Sequence, residues 1–284
     1  MSDRRFLASN GRVARRGLEG EVNAERFVDG KEMSLVASAF LRSRPGGARD
    51  RQLLFGDIFL ALAEEGDLTF GVSMKDGYVG YLAQQALGPR LEATHWVSAL
   101  LTHGWPRADL KGEPELFLPM MARVSVSDVD ARWSEITGPN GAVFVPSGHL
   151  SRLGTWADDV VSVVRRFVGT PYVWAGNEAS GLDCSGLVQV AFHASGFACP
   201  PDSDLQARMP GELVGSESEL AAGDLVFWAG HVAMASGAGT LIHANAHHMA
   251  VVEEPVVEAI ARIAGSDTGP VTSMLRPDWS ALRF

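Results

Sequence analysis

Apolar residues in the second half of the chain recur first at helical and then at strand spacing. Val160, Val161, Val164, Phe167 and Val168 fall on one helical face. Thr155-Trp156-Ala157-Asp158 reads as the capped start of that helix, and Gly169 as its stop. A second helix is predicted through Leu187, Val190, Ala191 and Ala194, ended by Gly196. Short apolar runs at 224–228, 231–235, 240–244 and 250–253 then read as strands. Helices followed by strands predict an α+β layer fold with an antiparallel sheet.

The first half is patterned for short strands. Lys75-Asp76-Gly77 precedes the apolar-aromatic run Tyr78-Val79-Gly80-Tyr81-Leu82, and Leu68-Thr69-Phe70-Gly71-Val72 reads as its hairpin partner. Gly138-Pro139-Asn140-Gly141 likewise precedes Ala142-Val143-Phe144-Val145, with Arg123-Val124-Ser125-Val126 as an earlier strand of the same unit. Two such units, each of about 60 residues, predict two small β-barrels. The expected order is a polar N-terminal arm at 1–27, a first barrel at 28–86, a second at 87–150, and an α+β domain at 151–284 that begins near residues 148–154.

Composition narrows the function. At 284 residues the chain has room for two or three small domains. Its formal net charge of −10 argues against nucleic acid as a partner. No apolar run approaches the ~18 residues of a membrane span. The start, Met1-Ser2-Asp3-Arg4-Arg5-Phe6-Leu7, has positive charge but no apolar stretch of ~7–15 residues behind it. Such an arm is poorly ordered unless tied down, and the protein is expected to be cytoplasmic. No feature of the chain sets its oligomeric state.

Candidate chemistry centres on Cys184, in the first turn of the second predicted helix. Unpaired N–H groups and the helix dipole favour a thiolate there, and such sites lower a cysteine pKa to roughly 3.5–7.5. His231 and His243 can supply a base and its orienting partner, the minimal kit of a cysteine hydrolase. A lone cysteine among apolar residues is more often a buried hydrophobe, but Asp183 and Ser185 flank this one with polarity. The other cysteine, Cys199, could pair with it only by consuming the nucleophile. His243, His247 and His248 invite a metal reading, yet no glutamate lies among them as zinc helices require. Neither metal nor cofactor is expected.

From Gly169 onward these blocks resemble the NlpC-type family of cell-wall cysteine peptidases, which have a papain-like fold. The match runs through Pro171-Tyr172-Val173-Trp174, Leu182-Asp183-Cys184-Ser185-Gly186-Leu187, Gly223-Asp224-Leu225-Val226-Phe227-Trp228, Gly230-His231-Val232 and Leu241-Ile242-His243-Ala244. The resemblance implies a nucleophile at Cys184, a base at His231, a third polar residue at His243 and an oxyanion donor at Tyr172. The two small barrels resemble the bacterial Src-homology-like modules of the recycling members. That likeness implies cleavage of the γ-D-glutamyl–diamino acid bond in short wall peptides with a free L-alanine amine. Asp183 and Ser185 match residues that bind the amine. Asp57, in Leu54-Phe55-Gly56-Asp57, and Tyr78, or in its place Tyr81, match barrel residues of the same pocket. Trp174, Asp202, Ser203 and Gln206 are further expected contacts.

Two departures stand out. Ala175-Gly176 replaces a pair of glycines and is expected to narrow the cleft, and Pro201 stands where relatives carry a cation. An acyltransferase of the same fold, and a wall-binding module with a dead catalytic domain, are the rival readings. The intact set of Cys184, His231 and His243 argues against the second.

Overall fold

The computed structural model describes residues 3–237 and 239–284. They form two compact units, Met1–Leu153 and Gly154–Phe284.

The N-terminal unit is built almost wholly of strands. Seven of them, from Lys31–Leu35 to Leu87–Gly88, join in one sheet whose paired strands are all antiparallel. The hairpin read at Asp76-Gly77 is present, with Leu68–Ser73 paired to Val79–Ala83. A second group of strands follows, between His95–Val97 and Leu150–Arg152. Here Trp133–Gly138 pairs with Gly141–Pro146 around the Asn140-Gly141 turn. The run read as one strand at 123–126 divides: Arg123–Val124 pairs with His95–Val97, and Val126–Val129 with Trp133–Gly138. Phe55 of the first group is buried in the core of the second, with Val97, Leu118, Ile136 and Val145. Gly56 permits that approach. Its φ is +77°, and a Cβ there would lie 2.0 Å from the Arg123 carbonyl oxygen.

The stretch read as a polar arm is tied down, with Met1 and Ser2 outside the described residues. Val13–Arg15 pairs in parallel with Arg26–Val28. Ala8 and Val13 are buried with Leu60, Phe70 and Tyr81, and Phe6 packs edge-on against Tyr78. Asn10 donates to the Tyr81 hydroxyl and to Glu65. A few well-spaced apolar residues anchor the segment, although its composition is polar.

In the C-terminal unit the first helix is Val160–Arg165, so it starts later than Thr155. Its cap is Asp159, whose carboxylate accepts from the Val161 and Ser162 N–H groups. The second helix, Cys184–Ala194, has all eleven residues buried. A short helix, Ser203–Gln206, follows. Six strands then make an antiparallel sheet in the order Gly211–Leu213, Ser273–Pro277, Leu225–Trp228, His231–Gly237, Thr240–Asn245, Ala250–Pro255. The four apolar runs are its four consecutive neighbours. The first three are buried on both faces because both are covered, whereas the edge strand Ala250–Pro255 alternates. The helix Val256–Ala264, which the sequence reading missed, packs Val256, Ala259 and Ile263 onto Val226, Ala233 and Leu241. Among the described residues no helix is long and apolar enough to cross a membrane.

Candidate active site

Asp183 fixes the start of the Cys184 helix. Its Oδ1 accepts the Gly186 N–H at 2.7 Å and the Ser185 hydroxyl at 3.0 Å. Its Oδ2 accepts the Ala175 N–H at 3.0 Å. One carboxylate thus caps the helix and pins the aromatic loop to it. Gly186 lets the two approach, since a Cβ there would lie 2.3 Å from the Gly176 carbonyl oxygen. Ala175 adopts φ +64°, a left-handed conformation that explains a glycine preference at this position. Its methyl is buried, so the departure strains the backbone rather than narrowing the cleft.

Cys184, Tyr172 and His231 line one cavity of about 340 Å³, together with Gly230, Asn245, His247, Arg262 and Thr268. The Cys184 sulfur lies 4.0 Å from the Gly230 carbonyl oxygen. Behind His231, its Nε2 is 2.8 Å from Nδ1 of His243. His243 is fully buried, and its Nε2 is 2.6 Å from Oε1 of Glu254. Arg262 donates to the same Glu254 oxygen.

Electrostatics differ from the expected thiolate. Burial pushes the Cys184 thiol up to about 12, and the charge of Asp183 acts in the same direction. The N–H groups of Val232, Ser185 and Cys184 itself pull it down, but by less. Burial likewise drives His231 down to about 3, helped by His243 and Arg262 and opposed by Glu254. The resting pair is therefore a thiol and a neutral imidazole. Burial also raises the Tyr172 phenol, with the charge of Asp183 acting in the same direction, so it stays protonated as a donor.

The other expected residues are placed as follows. Ser185 is buried against Asp183. Trp174 is 64% exposed beside the pinned loop. Asp202 precedes the Ser203–Gln206 helix and Ser203 is buried in it. Gln206 is fully buried and donates to the Ser185 and Pro200 carbonyls, so it braces the fold and is not a substrate contact. Asp57 and Tyr78 belong to the N-terminal unit, each 3% exposed. There Asp57 accepts from the Leu54 N–H, and Tyr78 packs with Leu41, Phe59 and Leu82. His247 lines the cavity, while His248 bonds to Asn245. Among the described residues no group of three or more His, Cys, Asp or Glu is arranged to hold a metal ion.

Glu254 and Arg262 escaped the sequence reading. The strand was ended at residue 253, and the helix that carries Arg262 was not read. The signal was strand alternation: Val252 pairs with His243, and Glu254 follows two residues on, along the same face. Arg262 also gives this cavity a cation, although Pro201 supplies none.

Residues 169–262 match the model of the NlpC/P60 family, and residues 41–87 that of the bacterial dipeptidyl-peptidase Sh3 domain. A Bacillus subtilis protein named gamma-D-glutamyl-L-lysine dipeptidyl-peptidase is 28% identical over 213 residues, 68% of this chain and 71% of that one. A Bacillus cereus protein of the same name is 40% identical over 95 residues, which are 31% of this chain and only 28% of the relative. The crystal structure of an NlpC/P60 family protein from Bacillus cereus superposes with a TM-score of 0.73 at 20% identity, over 87% of this chain and 99% of the other.

Proposed function

We infer that this chain, which carries an NlpC/P60 domain behind a bacterial dipeptidyl-peptidase SH3 domain, is a cysteine peptidase of bacterial wall peptides. The observation that carries the reading is one cavity in which Cys184, His231 and Tyr172 converge, with His243 directly behind the base. The Cys184 sulfur attacks the scissile carbonyl carbon as its proton passes to His231. The carbonyl π electrons move to oxygen, where the Tyr172 hydroxyl and the Cys184 N–H donate. Such a donor is worth about 100–1,000-fold in rate. Collapse expels the amine, which takes the proton from His231. Water, activated by the same imidazole, then cleaves the thioester.

The substrate proposed is a short stem peptide with a free L-alanine amine, cut at the γ-D-glutamyl–diamino acid bond. The shared name of the two Bacillus relatives supports that bond. Support for the amine comes from Asp183, whose negative charge acts on Cys184 and so also on an ammonium held beside it. Asp183 is half-buried, so losing that charge partner is expected at the lower end of the range, about 2 kcal/mol or some 30-fold in kcat/KM. Such selectivity suits a cytoplasmic enzyme that recycles imported wall fragments. The test is mass spectrometry of products from L-Ala-γ-D-Glu-diaminopimelate and from its N-acetylated form. Release of L-Ala-γ-D-Glu from the free peptide alone is expected. Equal kcat/KM for the two peptides would remove the amine pocket, and an inert wild-type protein would remove the peptidase reading.

A further inference from the structure

We propose that Glu254, held by Arg262, is a positioning residue that fixes which nitrogen of His243 and of His231 carries the proton. Glu254 lies 14% exposed, with the Arg262 guanidinium on its Oε1. Its burial alone would raise the carboxyl, but the hydrogen bond with His243 and the charge of Arg262 outweigh burial, and it is held below its ordinary value.

An ionised carboxylate accepts hydrogen bonds and has none to give. The hydrogen in the 2.6 Å contact between Glu254 and His243 therefore belongs to Nε2 of His243. With His243 in its neutral form, that is its one N–H, so its Nδ1 is bare and can only accept. The hydrogen in the 2.8 Å contact between the two rings must then sit on Nε2 of His231. That leaves Nδ1 of His231 bare, the form that can take a proton from Cys184. Every donor in the series then points away from Nδ1 of His231, which stays free to take the proton of Cys184 in the cavity they share. If Glu254 were absent, His243 could reverse. Its Nδ1–H would face His231 and force the proton of His231 onto Nδ1, where it blocks the base. The titratable and charged groups around the histidine pair are Cys184, Tyr172, His247 and Arg262, which line the cavity with His231, then Glu254 behind His243, and His248 near Glu254 and Arg262.

The role in turnover rests on the peptidase reading, but the proton pattern does not. The test is nitrogen NMR of ¹⁵N-histidine-labelled protein at neutral pH, beside steady-state kinetics of Glu254→Gln and Glu254→Ala. Wild type should carry the proton on Nε2 of both His231 and His243. Glu254→Gln keeps an oxygen that Arg262 orients, so it should keep that pattern while kcat falls about tenfold through loss of charge. Glu254→Ala should give mixed tautomers at His243 and a kcat lower by about 100-fold or more, since a misplaced tautomer costs up to roughly 10,000-fold in a triad. KM should change by less than about twofold in both, which separates positioning from substrate binding. A wild-type proton on Nδ1 of His243, or a folded Glu254→Ala protein with wild-type kcat, would overturn the proposal. Wild-type protein inert on wall peptides would defeat the peptidase reading and leave the NMR result to decide this one.

Discussion

Cys184 sits under two opposing influences. The start of its helix and three N–H groups favour the thiolate, whereas burial and Asp183 oppose it and prevail. Thiolate fraction governs alkylation. In a Cys199→Ala background, the rate with iodoacetamide should therefore climb about tenfold per pH unit from 7 to 10, as a thiol titrating above that window requires. A plateau beginning below pH 8 would instead reveal a preformed thiolate–imidazolium pair. Cys184→Ala should lose hydrolysis and stay folded, whereas Cys199→Ala should remain active. His231→Ala removes proton transfer and should lower kcat by roughly 100–10,000-fold, a larger loss than His243→Ala, which only leaves the His231 ring free to turn. Ala175, at φ +64°, tolerates no branching at Cβ. Ala175→Val should destabilise the protein by about 2 kcal/mol or more in urea unfolding, and an unchanged midpoint would contradict the assigned strain.

At the scale of elements, the site depends on a loop and a helix held in contact by one carboxylate and one missing side chain. A methyl added at Gly186 meets the Gly176 carbonyl and the Asp183 carboxylate at once. Gly186→Ala must separate the aromatic loop from the helix start, which moves Tyr172 relative to Cys184. Activity should fall by at least about 100-fold, the worth of one oxyanion donor, while circular dichroism stays that of a folded protein. Full activity would mean that the loop can shift without loss.

Much of this arrangement was legible in the sequence, for a physical reason. Cys184, His231 and His243 lie in runs whose periodicity also builds the core, so chemistry and fold share one pattern. The Asp76-Gly77 and Asn140-Gly141 turns were legible because hairpin turns need residues that accept positive φ. What escaped depends on contacts distant in sequence. Glu254 gains meaning only from the register that sets it diagonal to His243. Asp159 outcompeted Thr155 as a helix cap through a choice among several polar residues. Strand Ser273–Pro277 is central in space yet arrives last in the chain, after a helix, with nothing local to show that it inserts beside Leu225–Trp228.

At the scale of the molecule, each unit has its own core. Leu41, Leu53 and Phe59 pack with Tyr78 and Leu82 on one side of the division at Leu153, and Val226, Trp228 and Leu241 with Val256 and Ile263 on the other. Apolar burial drives folding, so a unit that buries its own strands and helices needs no residue from its neighbour to form. The C-terminal unit spans about 130 residues, enough to bury most of the surface of its unfolded chain. Every group that meets the reacting atoms in the proposed mechanism lies in that unit, as do His243, Glu254 and Arg262. The fragment 154–284 should therefore fold alone, with a dispersed amide spectrum and a cooperative melt. It should also keep the wild-type proton pattern at His231 and His243. The whole chain should melt in two calorimetric transitions, one of which coincides with that of the fragment to within a few degrees. A fragment that remains unfolded would place part of its stability in the N-terminal unit and would refute two independent cores.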